Sequence, residues 1–281
     1  MASKPPKERI RLIKVTMRLV RALGEYAMFK YLRYTLMHLT LLAVIASIFA
    51  GGPWILITGA IMGAFLFLGD HFMGDYLDEP DYAHPGILNF LLYLILPLLA
   101  MASLAQAWML GTGDFLGIGA AIQAVTGFDV FAAREQTGIV SILGSIVVLG
   151  VLIAAAGTNV GHELTHRTWS RRDMILGRWM LAFSANPDFA VEHVYNHHAR
   201  VATIGDPATA RRKDTNFWLW VPGAIWHEHM AAWRFEIDRL RKIGKPVLSI
   251  DNSMLRGYAM CSRWPASSSL RRAGSASPCS L

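Results

Sequence analysis

Cysteine is nearly missing from this chain. Its two copies, Cys261 and Cys279, both lie in the last stretch of the 281 residues, and none precedes position 261. A disulfide framework or a thiolate metal site is therefore excluded from the main body. Charge is also scarce: Asp, Glu, Lys and Arg make up only 17% of the residues, against 53% hydrophobic ones. A soluble surface needs more charge than that, so the composition points to a bilayer as solvent. No nucleic-acid motif accompanies the net charge of +7, and a DNA or RNA partner is not expected.

The basic residues are instead placed where a membrane protein needs them. Lys4, Lys7, Arg9, Arg11, Lys14, Arg18, Arg21, Lys30 and Arg33 all come before the first long apolar run. Such a cluster marks a cytoplasmic end. The segment lacks a small-residue cleavage site and is not read as a cleaved signal peptide. Ile10, Ile13, Met17, Val20 and Leu23 recur at helical spacing, so residues 1–34 are expected to form a basic amphipathic segment at the membrane surface.

Four apolar stretches follow, at about 35–50, 53–69, 87–110 and 138–158. A span needs roughly 20 residues, and backbone polar groups in lipid must bond within the segment, so these read as helices. Only Gly51 and Gly52 separate the first two, which predicts a tight hairpin. The expected fold is all-α: a polytopic membrane bundle of about four helices with a cytoplasmic, histidine-rich helical cap. With the N-terminus inside, four spans return the chain to the inside, where Arg167, Arg171, Arg172, Arg178, Arg200, Arg211 and Arg212 agree with the positive-inside rule. This places the protein in the inner (cytoplasmic) membrane as a multi-pass chain. The mixed stretch at 174–190 is read as a helix packed within the protein, and Trp226 to Lys242 as an amphipathic helix.

Half of the ten histidines sit in two short clusters, HELTH (His162 to His166) and HVYNHH (His193 to His198). His162 and His166 are four residues apart, as are His193 and His197, so on α-helices each pair shares a face; His198 adds a neighbour. Imidazole suits iron, copper and zinc. Polar groups at this depth are costly unless they serve a purpose. HELTH by itself also fits the HExxH motif of zinc proteases, with Glu163 as general base, and a membrane zinc protease remains an alternative. Three further histidines in the second cluster exceed what one open zinc site requires and favour two metals. His38, His71, His84, His227 and His229 are weaker candidates. His71 beside Asp70 is the best placed of them as a supporting group, and His227 and His229, two apart, cannot share a helical face. Trp54, Phe65 and Phe67 are read as lipid-facing in preference to lining a channel.

GHELTHR, EHVYNHHARVAT and DPATAR together resemble the membrane alkane 1-monooxygenase family, within the histidine-box superfamily of desaturases and hydroxylases. GDHFMGD (69–75) resembles a weaker family pattern at the end of the second span. The likeness covers about residues 35–260. Desaturases of the superfamily have two residues before the HH pair of the second box; here three separate His193 from His197, which favours a hydroxylase over a desaturase. The resemblance implies a non-haem di-iron monooxygenase that inserts oxygen into a terminal or alkyl C–H bond of an alkane or fatty acyl chain, drawing electrons from a rubredoxin-type donor. It implies two iron ions held by His162, His166, His193, His197 and His198, with Glu163, Glu192, Asp206 and Asp70 as candidates to orient them. The family also carries a later box, NYxEHYG, after further spans. No such box occurs in these 281 residues, so the expectation is a truncated member. Residues 259–281 hold an abrupt run of serine and arginine with no acid beyond residue 260; a disordered, frameshifted tail is expected there.

Overall fold

The computed structural model describes residues 29–73, 82–210 and 216–269. Most of the basic 1–34 segment, Gly74 and Asp75, Arg211 and Arg212, and residues 270–281 lie outside these ranges. All regular structure among the described residues is helical. Four helices are long and apolar enough to cross a membrane: α1 (Lys30–Ala50), α2 (Trp54–Phe72), α3 (Pro85–Leu110) and α6 (Ile139–His166). Two short helices, α4 (Ile118–Thr126) and α5 (Val130–Glu135), close one end of the bundle. At the other end stand α7 (Arg171–Phe183), a short helix α8 over 189–200, α9 (Phe217–Lys242) and α10 (Ser253–Ser269).

The α1–α2 hairpin turns as the glycine pair predicts. Gly51 and Gly52 hold φ of +66° and +52°, and a Cβ on Gly51 would stand 2.5 Å from the Ala133 carbonyl of α5. Only glycine takes that backbone at little cost and leaves room for the neighbour. Within the bundle α1 packs on α3, and α2 leans on α1 and α6. Their facing side chains (Leu41, Val44, Ile48, Leu99, Leu152) are fully buried. The outward side chains are apolar as well: Phe65, Phe67 and Phe72 on α2 and Val140, Leu143 and Val147 on α6 all stand exposed. A helix apolar all round is a lipid-facing span. Trp54 joins this outer surface at 55% exposed, as the sequence suggests.

Three boundaries differ from the sequence reading. The first span begins at Lys30, where Lys30 and Arg33 lie over the Tyr82 and Tyr34 rings. The fourth does not stop at residue 158. Its backbone widens into a π-helical stretch, Ile153–Thr158, and carries on as α-helix through His166. HELTH is thus the last turns of a span. Finally, α10 continues regular helix through Ser269, past the point where the change in composition suggests disorder.

At the closed end, Asp114 accepts from the Trp108 indole (2.8 Å) and from the Gly119 and Ala120 amides (2.7 and 3.0 Å). Arg134, the one base in that loop, donates to the Trp108 and Gly113 carbonyls and lies 4.3 Å over the Trp108 ring. These contacts fasten α3 to the α4–α5 pair.

Candidate metal centre

HELTH is set in place by close backbone contact. Gly161 in α6 faces Gly177 in α7. A Cβ on Gly177 would lie 2.8 Å from the Gly161 carbonyl, and one on Gly161 would lie 3.0 Å from the Gly177 carbonyl. Two glycines therefore let the helices touch. A charged network completes the grip. Asp173, 4% exposed, accepts from Tyr93 of α3 (2.8 Å), Arg172 (3.3 Å) and Arg167 (3.4 Å). Arg167 also reaches Asn89 of α3 (2.7 Å) and Glu163 (3.1 Å). Burial by itself would raise the Asp173 pKa, but the donors Tyr93, Arg172, Ser170 and Arg167 outweigh it and hold the carboxyl below its ordinary value. Three helices are tied to one buried anion directly after the motif.

On that frame the imidazoles converge. His162 Nε2 lies 2.7 Å from His166 Nε2 and 2.7 Å from His193 Nε2, and His193 Nε2 lies 3.0 Å from His198 Nε2. One nitrogen from each of the four rings falls within 4.8 Å of all the others. Each Nε2 offers a single in-plane site, as donor or as acceptor. Four such atoms make at most two hydrogen bonds, yet three close contacts exist. At least one contact therefore brings two lone pairs or two N–H groups together, a mismatch that a cation held by four ring lone pairs would remove. The donor set, all imidazole with no thiolate, suits iron, copper or zinc. A tetrahedral ion with bonds near 2.1 Å holds its nitrogens roughly 3.4 Å apart, so the rings would spread by a few tenths of an ångström to seat one. His193 is ready for that role: burial first, then the neighbouring imidazoles, push it down to about 3, so the ring is neutral at ordinary pH.

The membership of this group departs from simple helical spacing. His193 and His197 were expected to share a face. The helix is π-wound over His193–His197, so residues five apart align. His198 replaces His197 beside His193. His197 instead stacks on His193 (5.2 Å between centroids) and turns its Nδ1 to Asp206, at 3.0 and 3.1 Å. Asp206 is 1% exposed and also accepts from the Thr209 hydroxyl and the Ala208 amide. Burial favours its neutral form, but the Thr209, His197 and Ala208 bonds hold its pKa low. A carboxylate at Nδ1 fixes the tautomer with the lone pair on Nε2, the form that binds metals. Asp206 is thus hydrogen-bonded to the His197 imidazole.

The other candidates fall elsewhere. Glu163 is 54% exposed at its side chain and paired with Arg167. Glu192 is 4% exposed and accepts from Asn196 at 2.9 Å; burial raises its pKa. Asp70 is exposed at the end of α2, and no described contact joins it to the histidines. His71, also exposed, packs its ring on Phe72. His38 is buried and bonded to the Leu91 carbonyl at 2.9 Å. The His84 amide donates to the Tyr31 hydroxyl. His227 bonds the Gly223 carbonyl within α9, and His229 bridges Asp188 and Tyr258.

Sequence reasoning missed Glu228. It is half-buried on α9 and pushed up to about 7, by burial first and then by the Glu192 and Asp188 carboxylates. Its place in the motif-like HEH gave no sign that three other carboxylates surround it. Asp173, Gly161 and Gly177 were missed as well, since each acts only through contacts made by folding.

Residues 137–265 match the fatty acid desaturase family model. The chain is 35% identical over 131 residues to alkane 1-monooxygenase 1 of Pseudomonas aeruginosa, covering 47% of this chain and 34% of that protein. It is 30% identical over 190 residues to alkane 1-monooxygenase 1 of Alcanivorax borkumensis, covering 65% and 40% respectively. For the alkane 1-monooxygenase of Ectopseudomonas oleovorans the figures are 29% over 202 residues, 69% and 43%. The chain thus spans between a third and about two fifths of the length of these relatives.

Proposed function

We propose that this chain belongs to the superfamily of membrane alkane monooxygenases and fatty acid desaturases, to whose members it is similar, and that it acts in an integral-membrane non-haem di-iron monooxygenase. The substrate class is an alkane or a fatty acyl chain, hydroxylated at a terminal or alkyl C–H bond. Dioxygen is the oxidant: one oxygen atom enters the C–H bond, and the other leaves as water with two protons and two electrons. A rubredoxin-type protein is the proposed donor of the electrons. The basic residues at the cap end favour an acidic partner of that kind.

The observation that carries this reading is the four-imidazole convergence, with more close nitrogen contacts than hydrogen bonds can satisfy. His162, His166, His193 and His198 would hold one ion. His197, its tautomer set by Asp206, would offer its Nε2 to a second. Bound iron would supply the activation of dioxygen. Protein groups do the rest. Asp173 and the Gly161–Gly177 contact hold the first pair of rings against the second. Glu228, pushed up to about 7 by burial and by the Glu192 and Asp188 carboxylates, would hold a proton on the cap. The apolar flanks of α2 and α6 let an alkyl substrate arrive from the bilayer. In this arrangement the N-terminus and the histidine cap face the cytoplasm.

The pairing of Glu163 with Arg167 speaks against the zinc protease alternative, which needs that carboxylate as a base at the metal. Product analysis separates hydroxylase from desaturase. Membranes containing the chain, supplied with an acidic ferredoxin- or rubredoxin-class donor, octane and 18O-labelled dioxygen, are expected to yield 1-octanol carrying the label. An alkene product would reassign the chain to desaturation, and unlabelled alcohol would refute oxygen insertion.

A further inference from the structure

A cavity of about 970 Å³ opens between the turn at 204–209 and α9. It lies beside the metal centre but does not share its ligands. Its wall combines apolar side chains, Ile204, Leu219, Trp220 and Phe235, with the basic Arg200, Arg234 and Lys242. The side chains of these three cations have no ion-pair or hydrogen-bond partner among the described residues. The remaining lining cation, Arg239, is already held by Glu236 at 2.6 Å. Asp238, the lining carboxylate among the described residues, has Arg241 3.9 Å away. Among the described residues the lining of the pocket is therefore net positive.

Next to it the first turn of α9 presents Phe217, Trp218 and Leu219 to the outside, 59%, 80% and 82% exposed. Exposed aromatic and apolar side chains of this kind are enriched where a protein meets the membrane–water interface. Basic pockets at that level attract anionic headgroups. The concavity matters too. Its volume lies in the range of small-molecule sites, roughly 300–1,000 Å³, whereas a protein partner spreads over about 800 Å² of each surface.

We propose that this cavity binds an anionic phospholipid drawn from the bilayer. The phosphate would lie among Arg200, Arg234 and Lys242, and the acyl chains along Trp220, Leu219 and Phe235. The site needs no metal and goes beyond the hydroxylation reading, which stands or falls separately.

Native mass spectrometry of the full chain in detergent tests it, with phosphatidylglycerol and phosphatidylcholine of identical acyl chains as probes. The chain is expected to retain phosphatidylglycerol in preference to phosphatidylcholine. At about fivefold per basic residue, Arg234→Gln with Lys242→Gln should lower phosphatidylglycerol retention about 25-fold and leave phosphatidylcholine retention unchanged. Arg171→Gln, on α7 and outside the cavity, should change neither. Circular dichroism confirms that each variant keeps its helices, and Arg200→Gln supplies an independent test should the double variant unfold. Equal retention of the two lipids would overturn the proposal, as would a double variant that binds like the parent. Complete displacement of phosphatidylglycerol by millimolar inorganic phosphate would reassign the pocket to a free anion. Loss of binding to an acidic donor protein without loss of lipid would reassign it to protein docking.

Discussion

The membrane bundle and the helical cap bury polar groups in opposite ways. In the bundle the buried polar side chains are hydroxyls, one amide and one imidazole, and they are sparsely bonded. Gln106 donates to Ser145 across α3 and α6 at 2.8 Å. His38 Nδ1, Ser103 Oγ and Gln106 Oε1, the buried side-chain atoms without a partner among the described residues, all belong to the bundle. In the cap four of the buried polar groups are carboxylates, and each of these is engaged. Asp173 holds Tyr93, Arg167 and Arg172; Glu192 holds Asn196; Asp206 holds His197 and Thr209; Glu236 holds Arg239 and the Ser253 amide. A bundle in lipid is held by shape, because lipid tails are as apolar as leucine. The cap instead fixes orientation, and buried charge with full pairing does that at the cost of sensitivity to any missing partner. The imidazoles sit on the seam, two from a span and two from the cap.

The strongest way to break this contrast is to wedge the seam. Gly177→Val places branched carbons where a single Cβ already meets the Gly161 carbonyl at 2.8 Å. Overpacking of that kind costs about 1–3 kcal/mol or more. Iron binding should be lost while the spans stay helical, measured as iron per chain beside circular dichroism. Asp206→Asn keeps the shape but frees the His197 tautomer. Loss of such an orienting carboxylate lowers metal affinity about 10–100-fold, which a competition titration with a chelator would read. Asp173→Asn should cost about 1–3 kcal/mol of thermal stability, since Arg167 and Tyr93 lose a charged acceptor; chemical denaturation in detergent measures it.

Proton linkage sharpens the comparison at the cap. The folded pKa of Glu228 is raised from 4.5 to about 7. Its contribution to stability is full below 4.5 and lost as pH rises through 7. His193 shifts the other way, from 6.5 to about 3. Its contribution is full above 6.5 and lost as pH falls from there toward 3. The metal-free chain should therefore melt earlier on both sides of a mildly acidic optimum. Glu228→Gln should flatten the alkaline side and leave the acid side, a result that Tm against pH would show. The smallest effect is expected in the bundle. Gln106→Leu gives up one hydrogen bond worth about 0.6 kcal/mol in membranes and removes an unpaired carbonyl, so Tm should barely move.

The bundle was largely legible in the linear chain, because lipid demands uncharged runs of span length and 35–50, 53–69, 87–110 and 138–158 provide them. Their ends were less so. The fourth span runs on through a π-turn into polar HELTH, where hydropathy gives out before the helix does. The metal-site candidates were legible as residue types. Which of them converge was not, because the four-residue spacing of His193 and His197 points to a shared face only on an α-helix. Widening the turn over His193–His197 exchanges His197 for His198. Asp173, Glu228 and the Gly161–Gly177 contact left no local trace: each gains its role from helices far apart in the chain.

The most direct measurement is iron bound per chain, taken with the Fe K-edge absorption spectrum, for the parent, His162→Ala and His71→Ala. The account predicts a nitrogen-rich shell and stoichiometric iron in the parent, background iron in His162→Ala, and an unchanged signal in His71→Ala, whose ring lies exposed on α2. Iron retained in full by His162→Ala, or absent from the parent grown with ample iron, would contradict it.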